Sequence, residues 1–140
     1  MKTFDPVDAY RQFLERLCNG DFDLAETLVS ADCVFHVAGA ADSTYRGPMG
    51  LRTLLQGARS PFSSLTFRLA LGPLVQGDWL AARWSAEGVY GGGFPGAPAP
   101  PGTAVAFGGH DFLRFQDGRF VEYWGGADDA HLMTQLGMFG

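Results

Sequence analysis

The sequence predicts an α+β fold: a curved, mixed, largely antiparallel sheet wrapped by three N-terminal helices and closed by a short C-terminal one. Three observations carry this. Apolar residues recur at helical spacing through most of the first sixty positions, they alternate with polar ones from Leu65 onward, and the alternating runs follow one another through tight turns. Helices kept to one face of an antiparallel meander define the class, and a sheet curved around them leaves a cone whose interior is expected to be a pocket.

The first helix starts at Asp5, whose carboxylate suits an N-cap, with Pro6 in the first turn. Val7, Tyr10, Phe13, Leu14 and Leu17 form its apolar face, and Asn19 with Gly20 ends it. Asp21 opens a shorter helix with Phe22, Ala25, Leu28 and Val29 on one face, and Asp32 to Val37 reads as a strand. Gly47 and Pro48 begin a third helix bearing Leu51, Leu54 and Leu55, which Ser60 and Pro61 close. Then the period changes to two. Leu65 to Leu71 is a strand, Gly77 and Asp78 a turn, and Trp79 to Tyr90 one long strand. Val105 to Phe115 follows, and Asp117 with Gly118 turns the chain into Phe120 to Trp124. A helix over Ala127 to Leu136 is expected to cover an open end. Between Gly91 and Gly102, five glycines and four prolines in twelve residues exclude a regular element. That stretch is either a plain hairpin connection or a flap over the pocket mouth.

A length of 140 residues suits a single domain, expected over 1–140. Hydrophobic residues make up 46% and charged ones 18%, which separates the chain from disordered sequences. A formal charge of -5 offers no positive field for phosphates, so neither nucleic acid nor an anionic membrane is an expected partner. Cys18 and Cys33 form no CxxC pair and are expected as buried free thiols. No apolar signal core opens the chain and no run reaches membrane-spanning length, so a cytoplasmic address is expected.

Asp111 alternates with Leu113 and Phe115 and is expected to project into an apolar interior, where desolvation raises a carboxyl pKa. There a neutral acid can donate to a carbonyl, and an ionised one can take a proton from carbon. The alternative is a structural acid held by Arg114, His110 or a backbone amide. Asp128 either caps the last helix or stands at the cone mouth as a second carboxylate facing Asp111. His36, His110 and His131 form no HxH or HExxH array and no GxSxG elbow occurs, so neither a metal nor a serine triad is expected.

The segment Arg83-Trp84-Ser85-Ala86-Glu87-Gly88, the Pro-Gly loop, Val105-Ala106-Phe107, the run Asp111 to Trp124 and the tail Gln135-Leu136-Gly137 resemble the SnoaL-like polyketide cyclase family. The resemblance covers nearly the whole chain. It implies the nuclear-transport-factor-2-like (NTF2-like) cone, an apolar small-molecule ligand and a homodimer, with no cofactor. The cyclases' acid/base aspartate directly follows the position of Trp124, where this chain has Gly125. The first-helix phenol and first-strand base of the related steroid isomerases fall near Phe13 and Val37, both apolar. Asp111 stands where the isomerases keep a carboxylic acid and the cyclases a histidine. Phe13, Val37, Leu54, Trp84, Tyr90, Phe107 and Trp124 are expected to line a cavity for a flat apolar molecule. The reading that follows is cyclase- or isomerase-type proton transfer using Asp111 and Asp128. A non-catalytic binding module or a dimeric interaction domain is the alternative.

Overall fold

The computed structural model describes residues 4–41 and 44–139. Helix α1, Pro6–Gln12, is capped by Asp5, whose carboxylate accepts from the amides of Val7 at 3.0 Å and Asp8 at 3.3 Å. It continues as a wider π turn over Phe13–Leu17, closed by the Cys18 amide on the Phe13 carbonyl. A 3₁₀ turn at Phe22–Leu24 leads into α2, Ala25–Leu28. Strand β1, Val29–Val37, and helix α3, Gly47–Arg59, follow. Then come β2 Phe62–Gln76, β3 Trp79–Tyr90, β4 Ala104–Gln116, β5 Arg119–Ala127 and α4 Asp129–Gln135.

The five strands lie in the order β1-β5-β4-β3-β2. The last four pair antiparallel as the expected meander, and β1 joins β5 in parallel. The β4–β5 turn places both Asp117 (φ 53°) and Gly118 (φ 79°) in the left-handed region, the requirement of a two-residue type I′ turn. The chain therefore has the α+β architecture predicted for it, with β4 at the centre of the sheet.

Register decides which side chains meet. Phe35, Tyr123, Leu113 and Leu80 form one row across the inner face. The next row holds Val37, Gly125, Asp111 and Ala82, and beyond it Gly109 lies opposite Trp84. Tyr10, Phe13, Leu14 and Leu17 from the first helical segment pack onto these rows, all almost fully buried. Such burial of apolar side chains is the main stabilising term of the fold.

Residues 91–103 form no regular element and connect β3 to β4. The stretch is pinned at both ends of its path. The Phe94 amide donates to the Tyr90 hydroxyl at 2.7 Å, the Gly102 amide to the Tyr90 carbonyl at 2.8 Å, and the Ala99 amide to the Leu136 carbonyl at 3.2 Å. It is thus a hairpin connection packed against the end of α4.

Candidate functional site

Asp111 is the one buried charged residue among the described residues, with 2% of its surface exposed. A bare carboxylate at such depth is costly, so it must be met by donors. Three side chains from three elements supply them. The Tyr10 hydroxyl of α1 donates to Oδ2 at 2.8 Å, the Tyr123 hydroxyl of β5 donates to Oδ1 at 2.7 Å, and the Trp84 indole N–H of β3 reaches the same Oδ1 at 3.2 Å. All three donors are uncharged.

The partners expected from sequence are elsewhere. His110 and Arg114, the neighbours of Asp111 on β4, turn to the outer face of the sheet. There His110 Nδ1 lies 3.3 Å from Arg83, and Arg114 donates to Glu122 at 3.4 Å. The alternation of a strand sends residues an odd number of places away to the opposite side, which is why neither is hydrogen-bonded to Asp111.

Burial raises the Asp111 pKa above the ordinary carboxylate range, and the bonds from Tyr123, Tyr10 and Trp84 oppose that rise. Burial, reinforced by the negative charge of Asp111, pushes both phenols far above their ordinary range. Tyr10 and Tyr123 are therefore held as protonated donors. The Cys18 thiol is likewise raised, first by burial and then by the Asp111 charge, and burial pushes Cys33 up to about 12. Neither cysteine is a thiolate nucleophile at neutral pH.

Of the residues expected to share this site, three gather at it. Trp84 bonds Asp111 directly, Phe107 packs on the Trp84 ring at 5.9 Å, and Phe13 packs on the rings of Tyr10 and Tyr123 at 6.1 and 5.9 Å. The others do not. Tyr90 is buried, but its hydroxyl receives the loop amide of Phe94. Leu54 is half-buried on α3 and packs against the general core. Val37 ends β1 and borders a hollow described below. Trp124, one residue from Tyr123, points to the outer face, where it stacks on His36 at 5.0 Å and meets Trp79 at 5.4 Å.

Asp128 is exposed and caps α4, its carboxylate accepting from the His131 amide at 3.4 Å. It does not join Asp111. Two residues that do were missed in the sequence: Tyr10, read as one member of a helical apolar face, and Tyr123. The position near Phe13 is apolar as read from the sequence, and the first-helix phenol that meets Asp111 is Tyr10, three residues earlier.

Asp111 itself is almost wholly withdrawn from solvent. Two concavities open on the outer face. One of about 530 Å³ is lined by His36, Val37, His110, Phe112, Trp124 and Gly126, among others, and one of about 420 Å³ by Leu74, Trp79 and Phe112 with their neighbours. Among the described residues no cluster of three His, Cys, Asp or Glu side chains is placed to hold a metal.

The model of the SnoaL-like polyketide cyclase family matches residues 7–136. No curated protein sequence matches the chain. Among solved structures, IdmH of Streptomyces antibioticus, described as a polyketide cyclase, is 29% identical with a TM-score of 0.81, over 95% of this chain and 99% of that one. A protein of Acidithiobacillus ferrooxidans described in the same terms superposes with a TM-score of 0.83 over the whole of both chains at 17% identity. AclR of Streptomyces galilaeus, described as a hydroxylase, gives 0.73 at 24% identity over 96% of this chain and 87% of that one. The latter two likenesses bear on the fold alone.

Proposed function

The chain belongs to the SnoaL-like polyketide cyclase family, and on that premise we propose that it is a small-molecule enzyme in which Asp111 moves a proton next to a carbonyl of a hydrophobic, polyketide- or steroid-like substrate. The observation that carries this reading is a single buried carboxylate held by two phenols and an indole. Ionised Asp111 takes a proton from the carbon beside the carbonyl. The C–H electron pair moves into the new C=C bond, and the carbonyl π pair moves onto oxygen, giving an enolate. A phenol turned from Asp111 to that oxygen stabilises the charge as it develops. The proton then returns to another carbon, in isomerisation, or the enolate carbon attacks a second carbonyl, whose π pair moves onto its oxygen and takes the proton back from Asp111, closing a ring as an alcohol. A substrate reaches the carboxylate by displacing one of its donors, since the resting site is closed.

The test is solvent deuterium exchange, followed by proton NMR, into a panel of flat aromatic and alicyclic ketones. Wild-type protein is expected to catalyse exchange beside the carbonyl of at least one of them, and Asp111→Asn to lose it by a hundredfold or more while keeping its circular dichroism. Ketone binding without exchange in either protein would leave the non-catalytic binder, in which Asp111→Asn weakens affinity by about 1–3 kcal/mol, the value of one buried hydrogen bond.

A homodimer through the outer face is part of the proposal. Phe112, Trp79, Leu71 and Leu74 stand exposed there, at 53, 42, 68 and 73%, a density of bare apolar side chains that marks an interaction surface. No helix among the described residues is long and apolar enough to cross a membrane. The proposal takes residues 1–140 as one domain with a cytoplasmic address.

A further inference from the structure

Two glycines on the inner face of the sheet are not required by their own dihedral angles. Gly109 and Gly125 lie within strands, neither has a positive φ, and a glycine within a strand weakens it. Both flank Asp111. Gly109 precedes it by two residues on β4, hence on the same face, and Gly125 is its direct partner on β5. What each glycine leaves empty is occupied. A β-carbon at Gly125 would fall on the hydroxyl and Cζ of Tyr123, with Cε1 at 2.5 Å. One at Gly109 would fall on the six-membered ring of Trp84, with Cε2 at 2.5 Å, and would also meet the Gly126 carbonyl oxygen at 2.5 Å.

We propose that Gly125 and Gly109 are positioning residues of the Asp111 site: by withholding side chains they let the Tyr123 phenol and the Trp84 indole lie across the strands and converge on one carboxylate oxygen. In a strand, a residue two places on shares the same face and normally blocks a side chain from lying flat along it. With Gly125 the Tyr123 ring lies down over position 125 and delivers its hydroxyl to Oδ1 of Asp111. Gly109 does the same for its cross-strand neighbour Trp84, which donates to that same oxygen. Tyr10 comes from the helical layer and reaches the other oxygen, so it needs neither glycine. The donor set is thus encoded by two absences as well as by three aromatic residues.

The inference rests on Asp111 as the functional centre, yet its test needs no substrate. The Asp111 side-chain carboxyl is followed by carbon-13 NMR across a pH series, its resonance identified by its loss in Asp111→Asn. Because the Tyr123 bond holds the Asp111 pKa down, Tyr123→Phe is expected to move its midpoint upward. Gly125→Ala is expected to move it upward by the same amount, and Gly125→Ala with Tyr123→Phe to move it no further than either alone. Gly126→Ala is the control, since a β-carbon there meets nothing within 4 Å. A wild-type midpoint in Gly125→Ala, or additive shifts in the double variant, overturns the proposal.

Should Gly125→Ala not fold, the same question is put to stability in a Tyr123→Val background, which removes the ring. Gly125→Ala is expected to be tolerated there, and an equal loss of folding in both backgrounds overturns the idea. Failure of the exchange assay with ketones would sink the proton-transfer reading and leave this result standing, so the two can be told apart.

Discussion

At the scale of single residues, the chemistry of this chain is concentrated on one carboxylate whose hydrogen bonds come from two phenols and an indole. Burial places the folded-state pKa of Asp111 above its unfolded value, so the folded chain binds more protons over the interval between the two. Stability is then full below the ordinary carboxylate range and falls as pH rises through the raised folded value. Unfolding by urea at a series of values between about pH 4 and 8 is expected to show this decline in the wild type and a flatter curve in Asp111→Asn. An equally steep decline in the variant would assign the effect to another group. Tyr10→Phe deletes a buried donor and is expected to cost about 1–3 kcal/mol at neutral pH, measured in the same titration. Asp111 was legible in the sequence because strand alternation sets it between apolar neighbours. Its phenolic partners were not. Tyr10 has the same spacing as any core residue of an amphipathic helix, and Tyr123 is a strand aromatic like many others. The readable trace was the pair of strand glycines at Gly109 and Gly125, which no turn accounts for.

Helices and strands here are fastened by side-chain amides that imitate backbone. Asn19, just after the π turn, donates to the Phe67 carbonyl at 3.0 Å and accepts the Phe67 amide at 2.7 Å, so it acts as one residue of an extra strand on the edge of β2. Gln135 of α4 treats Ala106 of β4 in the same way, at 2.7 and 2.8 Å. Each clasp satisfies two main-chain groups on a strand edge and ties a helical segment to the sheet. Asn19→Ala is expected to destabilise by roughly 1–2 kcal/mol and to speed hydrogen exchange at the Phe67 amide. Gln135→Ala should do so at Ala106, with little effect on Phe67. Unchanged exchange at the clasped amide would count against the device.

Element types were readable from periodicity, and β3 matched its expected limits of Trp79 and Tyr90. Other ends were not. β2 extends from Phe62 to Gln76, well beyond the run Leu65 to Leu71, because pairing with β3 holds residues whose own pattern is broken by Ser63, Ser64, Gly72 and Pro73. The parallel union of β1 with β5 could not be read either. It depends on which strand edge is left free once the meander has formed.

For the whole molecule, the sheet divides two environments: a closed inner face centred on Asp111 and an outer face with exposed aromatic and aliphatic side chains. On the outer face, Phe112→Glu would place a charge among Trp79, Leu74 and Trp124. In the proposed homodimer it meets its own copy's apolar surface, and a shift from dimer to monomer is expected in light scattering coupled to size-exclusion chromatography. Near-wild-type stability is expected to accompany it, since the residue is half exposed. A wild-type protein already monomeric at high concentration would remove the dimer from the proposal.

The parallel pairing of β1 with β5 also has a temporal side. Val29–Val37 finds its parallel sheet partner in Arg119–Ala127, and the Tyr10 hydroxyl finds its acceptor 101 positions downstream. On a translating ribosome, at about 5–20 residues per second, the interval between the end of the one strand and the start of the other lasts roughly 4–16 s. Throughout it the nascent chain carries β1 without its parallel strand partner. The inner face around Asp111 lacks Tyr123 until β5 has been made, so the buried acid gains one of its two phenols only after the other four strands exist.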